Sequence, residues 1–450
     1  LGDVYKRQGL HELSLKYENY GLFARGMYFY DRKLNDGNYD FNDPITGKEF
    51  DPCEDNRASE VQCKDIRLLD AFVYANFDLN DGANPLSIRL GNQVVSWGES
   101  TLIAHGIGEI NPVDLNILNA PGAELKEAFR PQGMVWASLG ITENLSVEAF
   151  YQYDWEPIWV PTPGSIFATN DFAGFGGYNQ NAQLGFNANP DINLDFVMQE
   201  YQRLAGMIAS GQTIPTQQLV AMALAYPTKV TLVQDEQEPS NDGQYGVKLG
   251  YYAPELGDTE FGFYFMNYHS RRPLISGTAA DFSTGALLSD LAVLGQNAGD
   301  INRELLLSLK SFSKAQIVYP EDIKLYGFSF NTSLGDTSVG AEIAHRQDEP
   351  LQIDDVELLF AGMPQQLANA GIRPDFDGIS QIDGVKPGDT VDGFIRLDTT
   401  QAQVTFTHLF GPTLGLDNLT MLAEVGGVWI HDMPGFDELR LNGPGSAFWR

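Results

Sequence analysis

The 450-residue sequence lacks any apolar run long enough to cross a membrane as a helix: the longest, about Leu219–Tyr226, is far short of the roughly 18 to 20 residues required. A membrane-spanning form is therefore confined to strands paired all round, the only other way to satisfy every backbone group in lipid. Charged residues are scarce at 20%, and basic ones scarcer, with 28 Lys and Arg against 60 Asp and Glu for a formal net charge of −32. So acidic a chain repels phosphate backbones, and no nucleic-acid partner is expected. His occurs six times, at His11, His105, His269, His345, His408 and His431, scattered over separate stretches. His105 and Glu109 are four apart, but Gly106 and Gly108 between them disfavour the helix that would align them, so neither metal nor cofactor is expected. Ser96–Ser100 (SWGES) does not form a Gly-x-Ser-x-Gly elbow, and with no Ser, His and Asp set the chain does not read as an enzyme. The two cysteines, Cys53 and Cys63, lie in one polar run without His, which suits a loop disulfide in an exported protein better than a metal site.

No signal peptide opens the chain, although an outer-membrane barrel must first be exported. Leu1–Gln8 (LGDVYKRQ) reads as non-native adapter sequence and is set aside, leaving 9–450 as one domain. The end at Phe448, Trp449 and Arg450 falls in mid-pattern, so truncation at both ends is expected.

Present in quantity are aromatics (12%), Gly (46 residues) and hydrophobics (43%), a composition that excludes disorder and suits strands with interfacial aromatics. Period-two alternation is clearest from Leu145 to Trp155. There Val147, Ala149, Tyr151 and Tyr153 share one face, and Glu148, Phe150, Gln152 and Asp154 the other. The first face is expected toward lipid with Leu249, the second toward the interior with Lys248. Such runs predict twelve strands, at 10–19, 22–31, 65–78, 85–97, 133–140, 145–155, 244–253, 259–269, 323–334, 337–347, 400–410 and 418–430. Most are about ten residues, enough for a tilted strand to span a bilayer. The connections alternate strictly between short and long, the long ones being 32–64, 98–132, 156–243, 270–322 and 348–399. Short periplasmic turns and long external loops give that parity, which a soluble sandwich has no reason to show. The expected fold is all-β: an antiparallel transmembrane barrel of the outer-membrane type, with twelve strands visible and at least fourteen when complete.

Helical spacing predicts helices within the long loops at Leu194–Ser210, Pro215–Tyr226, Leu287–Leu294 and Ile301–Leu309. The loop 156–243 is expected to fold back and cap the lumen, the rival being a surface domain that docks a partner. Asp375, Asp377 and Asp383 with Gly378 depart from the spacing of a helix-flanked calcium loop and read as a solvated acidic loop. Candidate lumen-lining residues are Asp70, Arg89, Gln93, Glu148, Gln152, Asp154, Lys248, Glu342, Arg346 and Glu424. The alternative is a network of paired charges that only holds the barrel's shape.

The segments GNQVVSWGES (91–100), INPVDLN (110–116), PGAELKEAF (121–129), MVWASLGITENLSVEAFYQYDW (134–155) and ATNDF (168–172) resemble the proteobacterial outer-membrane family catalogued as domain of unknown function 1302. The likeness covers most of the chain from about residue 12. It implies a Gram-negative outer-membrane location, among lipid and lipopolysaccharide, and handling of hydrophobic molecules. It also implies a periplasmic lipid-carrier-like protein and an inner-membrane exporter as partners, and it carries over no agreed site residues. The expected function is passage or export of small or lipid-like molecules. The alternative is an envelope scaffold or adhesin whose loops bind a partner, and an outer-membrane lipase would need an activated Ser or Thr near a His.

Overall fold

Alternating side chains cannot serve two unlike environments unless the backbone is extended, and that demand organises the chain. The structure, a computed structural model, describes residues 6–36, 51, 53–119, 125–163, 230–297, 302–413 and 415–443, with short pieces between 165 and 212. In chain order the strands are β1 (Lys6–Tyr17), β2 (Tyr20–Asp31), β3 (Lys64–Leu79), β4 (Asn84–Gln93), β5 (Gln132–Gly140), β6 (Leu145–Gln152), β7 (Asn181–Gln183), β8 (Val230–Val233) and β9 (Gln244–Ala253). There follow β10 (Thr259–Tyr268), β11 (Leu274–Thr278), β12 (Ser313–Val318), β13 (Ile323–Leu334), β14 (Thr337–Gln352), β15 (Thr390–Val391), β16 (Phe394–Thr413) and β17 (Leu416–Ile430).

Twelve of these form one antiparallel sheet in the order β1-β2-β3-β4-β5-β6-β9-β10-β13-β14-β16-β17, each predicted run supplying one strand. Its edges are β1 and β17. β1 begins at Lys6, inside the stretch set aside as adapter, with Lys6–Gln8 paired to Phe29–Asp31 of β2. Several boundaries differ from expectation, β14 and β16 running longer, over Thr337–Gln352 and Phe394–Thr413, and β4 and β6 ending early. β4 ends at Gln93 rather than 97, and β6 at Gln152 rather than 155, so Asp154 lies beyond its strand.

The two faces of the sheet differ in chemistry. On the outer face Val135, Tyr151, Tyr245, Val247, Leu249, Phe263, Tyr326 and Ile343 are exposed. The rings of Tyr245, Phe265 and Tyr326 follow one another at centroid spacings of 6.2 and 5.2 Å, and Phe263 meets Phe328 at 5.1 Å. On the inner face Met134, Trp136, Phe150, Tyr264, Met266, Leu325 and Ala344 are buried with Val95, Trp97, Ile107 and Ile110 from the connection after β4.

The long connections carry the second sheet, ordered β15-β11-β12-β8-β7, with β12 and β8 parallel. It draws on 156–243, 270–322 and 348–399, which the sequence reading treated as separate loops. Trp155, just past β6, packs edge-on against Tyr319 at 4.8 Å and ties the two sheets together. The predicted helix Leu287–Leu294 lies within the observed Thr284–Gln296, and the predicted Ile301–Leu309 overruns the shorter observed helix Arg303–Ser308. The stretches Leu194–Ser210 and Pro215–Tyr226 fall almost wholly outside the described residues. Cys53 and Cys63 form the loop disulfide, with Cα atoms 6.0 Å apart.

If the outer face meets hydrocarbon, charge is tolerated on one parity only. Leu249→Arg is expected to lower unfolding stability in lipid vesicles by about 2 to 4 kcal/mol, whereas Lys248→Arg, one position along, leaves it nearly unchanged. Urea titration checks both, and equal stabilities for L249R and the parent would contradict the assignment of faces.

Candidate functional site

The site starts where β4 stops. Beyond Gln93 the strand ladders of β4 stop, and the Asn111 side chain bonds the chain there: its amide donates to Gln93 O (3.2 Å) and Arg130 O (3.1 Å), and its carbonyl accepts from Val95 N (2.9 Å). Residues 94–112 thereby leave the sheet and cross its inner face. Trp97 packs on Phe150 and Tyr264 at 5.1 and 5.7 Å, and its indole donates to Glu148 (3.0 Å). This corrects the expected strand 85–97, whose last four residues, Trp97 among them, belong to the inward segment. It also replaces a simple external loop at 98–132 with an inward one.

A backbone crossing a packed interior must find partners for its amides. Two carboxylates provide them. Glu342, on β14, accepts from the amides of Glu99 (2.6 Å), Ser100 (3.2 Å) and Ile107 (3.0 Å), and from the Gln403 side chain (3.0 Å). Glu424, on β17, accepts from Thr101 (2.9 Å), Leu102 (2.6 Å), Ile103 (2.5 Å) and the Thr405 hydroxyl (2.6 Å). Successive amides converging on an anion form a nest, here occupied by the protein's own carboxylates. Glycine makes the approach possible at two positions. Gly98 has φ +89, and a Cβ on Gly106 would collide with Glu342 Oε1.

The carbonyl side of the segment is held by Arg346 and Gln401. The buried Arg346 guanidinium donates to His105 O and Gly106 O, both at 2.7 Å, and to the Tyr268 hydroxyl (3.1 Å). Gln401 donates to Ala104 O (3.1 Å). His105 sits at φ +72, and its ring bridges Glu109 (2.9 Å) and Glu349 (2.5 Å). A register shift between Arg346 and Glu349 lies beside this bridge. His105 and Glu109 thus meet through a turn, not through the helix that the sequence excludes. Further along, Gln132, Gln152 and Gln244 converge on Arg271, which also donates to Ile110 O and Glu156 O (2.8–3.5 Å throughout). Burial pushes the Arg271 guanidinium down to about 10, against the pull of Glu109 and other nearby anions.

The sequence-derived candidates fall into three groups. Glu342, Arg346 and Glu424 hold the segment's backbone, and Gln152 joins them by donating to Ile110 O (2.9 Å). Glu148 binds Trp97 and pairs with Lys248 at 3.3 Å. The rest contact the sheet or its margin. Asp70 pairs with Arg25, Arg89 lies over Trp136 (4.5 Å) and Gln93 donates to Met134 O (3.1 Å). Burial and Glu156 raise the Asp154 carboxyl. In the acidic loop, Asp375 pairs with Arg373 and Asp377 accepts from Gln365. Missed from sequence were His105, Glu109, Glu349, Arg271, Gln132, Gln244, Gln401 and Gln403. The available signal was the cluster of Gly98, Gly106 and Gly108 flanking the amides that need partners.

Glu109 makes the segment sensitive to acid. Burial disfavours its charge, but Arg272 at 3.0 Å, His105 and Arg346 outweigh burial and hold the carboxyl well below its ordinary value of 4.5. An acid depressed in the folded state stabilises it above the unfolded pKa, and that contribution fades as pH falls toward the folded pKa. Acidification from pH 7 to 3 is therefore expected to loosen the segment, read as a shift in tryptophan fluorescence. Glu109→Gln is expected to flatten that profile, and an unchanged profile would count against the assignment.

No curated protein matches the chain. Among solved structures it is similar to Salmonella typhi OmpF in complex with daunomycin (8% identity, 93% of this chain and 76% of that one, TM-score 0.29). It is also similar to Pseudomonas aeruginosa OccK1 (9%, 95% and 62%, 0.30) and Acinetobacter baumannii OccAB1 (13%, 94% and 74%, 0.30). The family model described as "Protein of unknown function (DUF1302)" matches residues 6–447, nearly the whole sequence, and the chain belongs to that family.

Proposed function

We propose that the twelve-stranded sheet closes into an outer-membrane barrel that passes small or lipid-like molecules, and that residues 94–112 keep its lumen shut at rest. The apolar, aromatic outer face suits lipid and the charged inner face suits a lumen. The carrying observation is the use made of the inner charges. Glu342, Glu424 and Arg346 point inward as channel-lining groups would, yet their partners are the amides and carbonyls of 99–107. A segment held by side-chain hydrogen bonds, without a strand partner, can leave without unzipping the wall, and that is what a gate requires. On this reading the periplasmic carrier and inner-membrane exporter implied by the family resemblance would meet the short-turn end.

A second reading has its own support. The cluster of Trp97, Ile107, Ile110, Met134, Phe150 and Met266 consists of buried, largely apolar side chains, which suits a scaffold that never opens. Conductance in planar bilayers separates the two. The parent protein is expected to be silent or to open rarely, and Glu342→Ala with Glu424→Ala to give sustained current while the heat-modifiable barrel band persists. Silence of the folded double variant would favour the scaffold, and equal steady current from both proteins would contradict the gate.

A further inference from the structure

A cavity of about 140 Å³ lies in the second sheet, away from the inner-face segment. One wall is β11 and β12, where Ile275, Gly277 and Ala315 lie; the other is the helix Asp355–Gly362, contributing Leu358 and Leu359, with Val391 of β15 closing the side. An apolar protein cavity of roughly 150 Å³ stays dry and accepts a benzene ring, so this one is of the size for a single six-membered ring. Its polar neighbours are already engaged. The hydroxyls of Thr231 and Ser313 bond each other at 2.7 Å, Ser276 Oγ accepts from Gly393 N (3.1 Å), and Lys314 interacts with Asp290.

Asp355 is the one carboxylate of the lining, and its charge is met by backbone N–H groups, its own and that of Val356, rather than by a side-chain cation. It is the first residue of the helix, and the preceding Asp354 already caps the helix by accepting from Val356 N (2.9 Å). The Asp355 side chain lines the cavity and is exposed at its rim. Burial and the Asp354 charge together raise its carboxyl, so a cation placed beside it would favour its ionised form. The net charge of −32 adds a long-range field that draws cations and repels anions.

We propose that this cavity binds a small monocyclic amine, its ring among Ile275, Ala315, Leu358 and Val391 and its ammonium on Asp355. The site is independent of the gate reading, because it lies in the sheet built from the long loops and needs no movement of 94–112. Gly362 offers a way to fill it, since a Cβ there would stand 3.7 Å from Ser313 Cβ and a longer side chain would extend into the space.

The test is titration of the full chain in detergent micelles with benzylammonium, benzoate and toluene, read by calorimetry and saturation-transfer NMR. Benzylammonium is expected to bind saturably and at least tenfold more tightly than benzoate. Asp355→Asn, at an exposed position where folding is not at risk, is expected to weaken it about five- to tenfold. Gly362→Leu is expected to abolish it, with Gly362→Ala as the folded control. Benzoate or toluene binding as tightly as benzylammonium would overturn the proposal. So would benzylammonium binding that ignores both D355N and G362L.

Discussion

A polypeptide segment cannot cross a packed interior with its amides unpaired, and the whole inner arrangement of this sheet follows from that constraint. A buried N–H left without a partner costs about 1 to 3 kcal/mol, and between Glu99 and Ile107 six amides, from the exposed Thr101 and Leu102 to the buried Ile107, find partners in just two carboxylates. Glu342 and Glu424 sit on β14 and β17, Arg346 takes the carbonyls on the opposite side, and Gly98 and Gly106 supply the clearance. Charges whose placement alone would suggest an aqueous channel are satisfied by the chain itself. The arrangement differs from both an open lumen and a network of paired side-chain charges, because the partners are mostly backbone groups of a single segment.

The same economy explains why the segment is held at both ends. At one end Asn111 imitates a strand neighbour for Gln93 and Val95. At the other, Arg271 collects the carbonyls of three glutamines and of Ile110. Between them Trp97 fills the space against Phe150 and Tyr264, so apolar contact and polar latch share one stretch of fewer than twenty residues. The second sheet lies above this arrangement, tied down by Trp155 on Tyr319. It is built from three connections that sequence alone treats as unrelated.

The legible part of the fold is the part that repeats. Leu145–Gln152 and Gln244–Ala253 alternate because one face must be apolar and the other must not, and period two survives even where Phe150 interrupts the polar side. The helix over Leu287–Leu294 was legible for the same reason, at a different period. The second sheet was not, because β7, β8 and β15 have two to four residues each, too few for a period to register, and β8 pairs with β12 across some eighty positions of sequence. Nor was the inward segment. Residues 94–97 continue β4's alternation on paper, but past Gln93 the bonds go to the Asn111 side chain instead of a strand. Of the site, the inward-facing charges on strands were readable from parity. His105, Glu109, Arg271, Gln132, Gln244, Gln401 and Gln403 were not, since they lie in connections or are neutral, and the role of His105 depends on a positive φ that no periodicity announces.

Amide hydrogen exchange of the reconstituted protein tests the latch most directly, because it reads the bonds on which the account rests. Exchange in the peptide spanning 98–107 is predicted to be slow, comparable with the strands β13 and β14, and to become fast when Glu342 and Glu424 are both replaced by alanine while the strands stay protected. Rapid exchange of 98–107 in the parent protein, at the rate of a solvated external loop, would contradict the claim that this segment lies bound across the inner face.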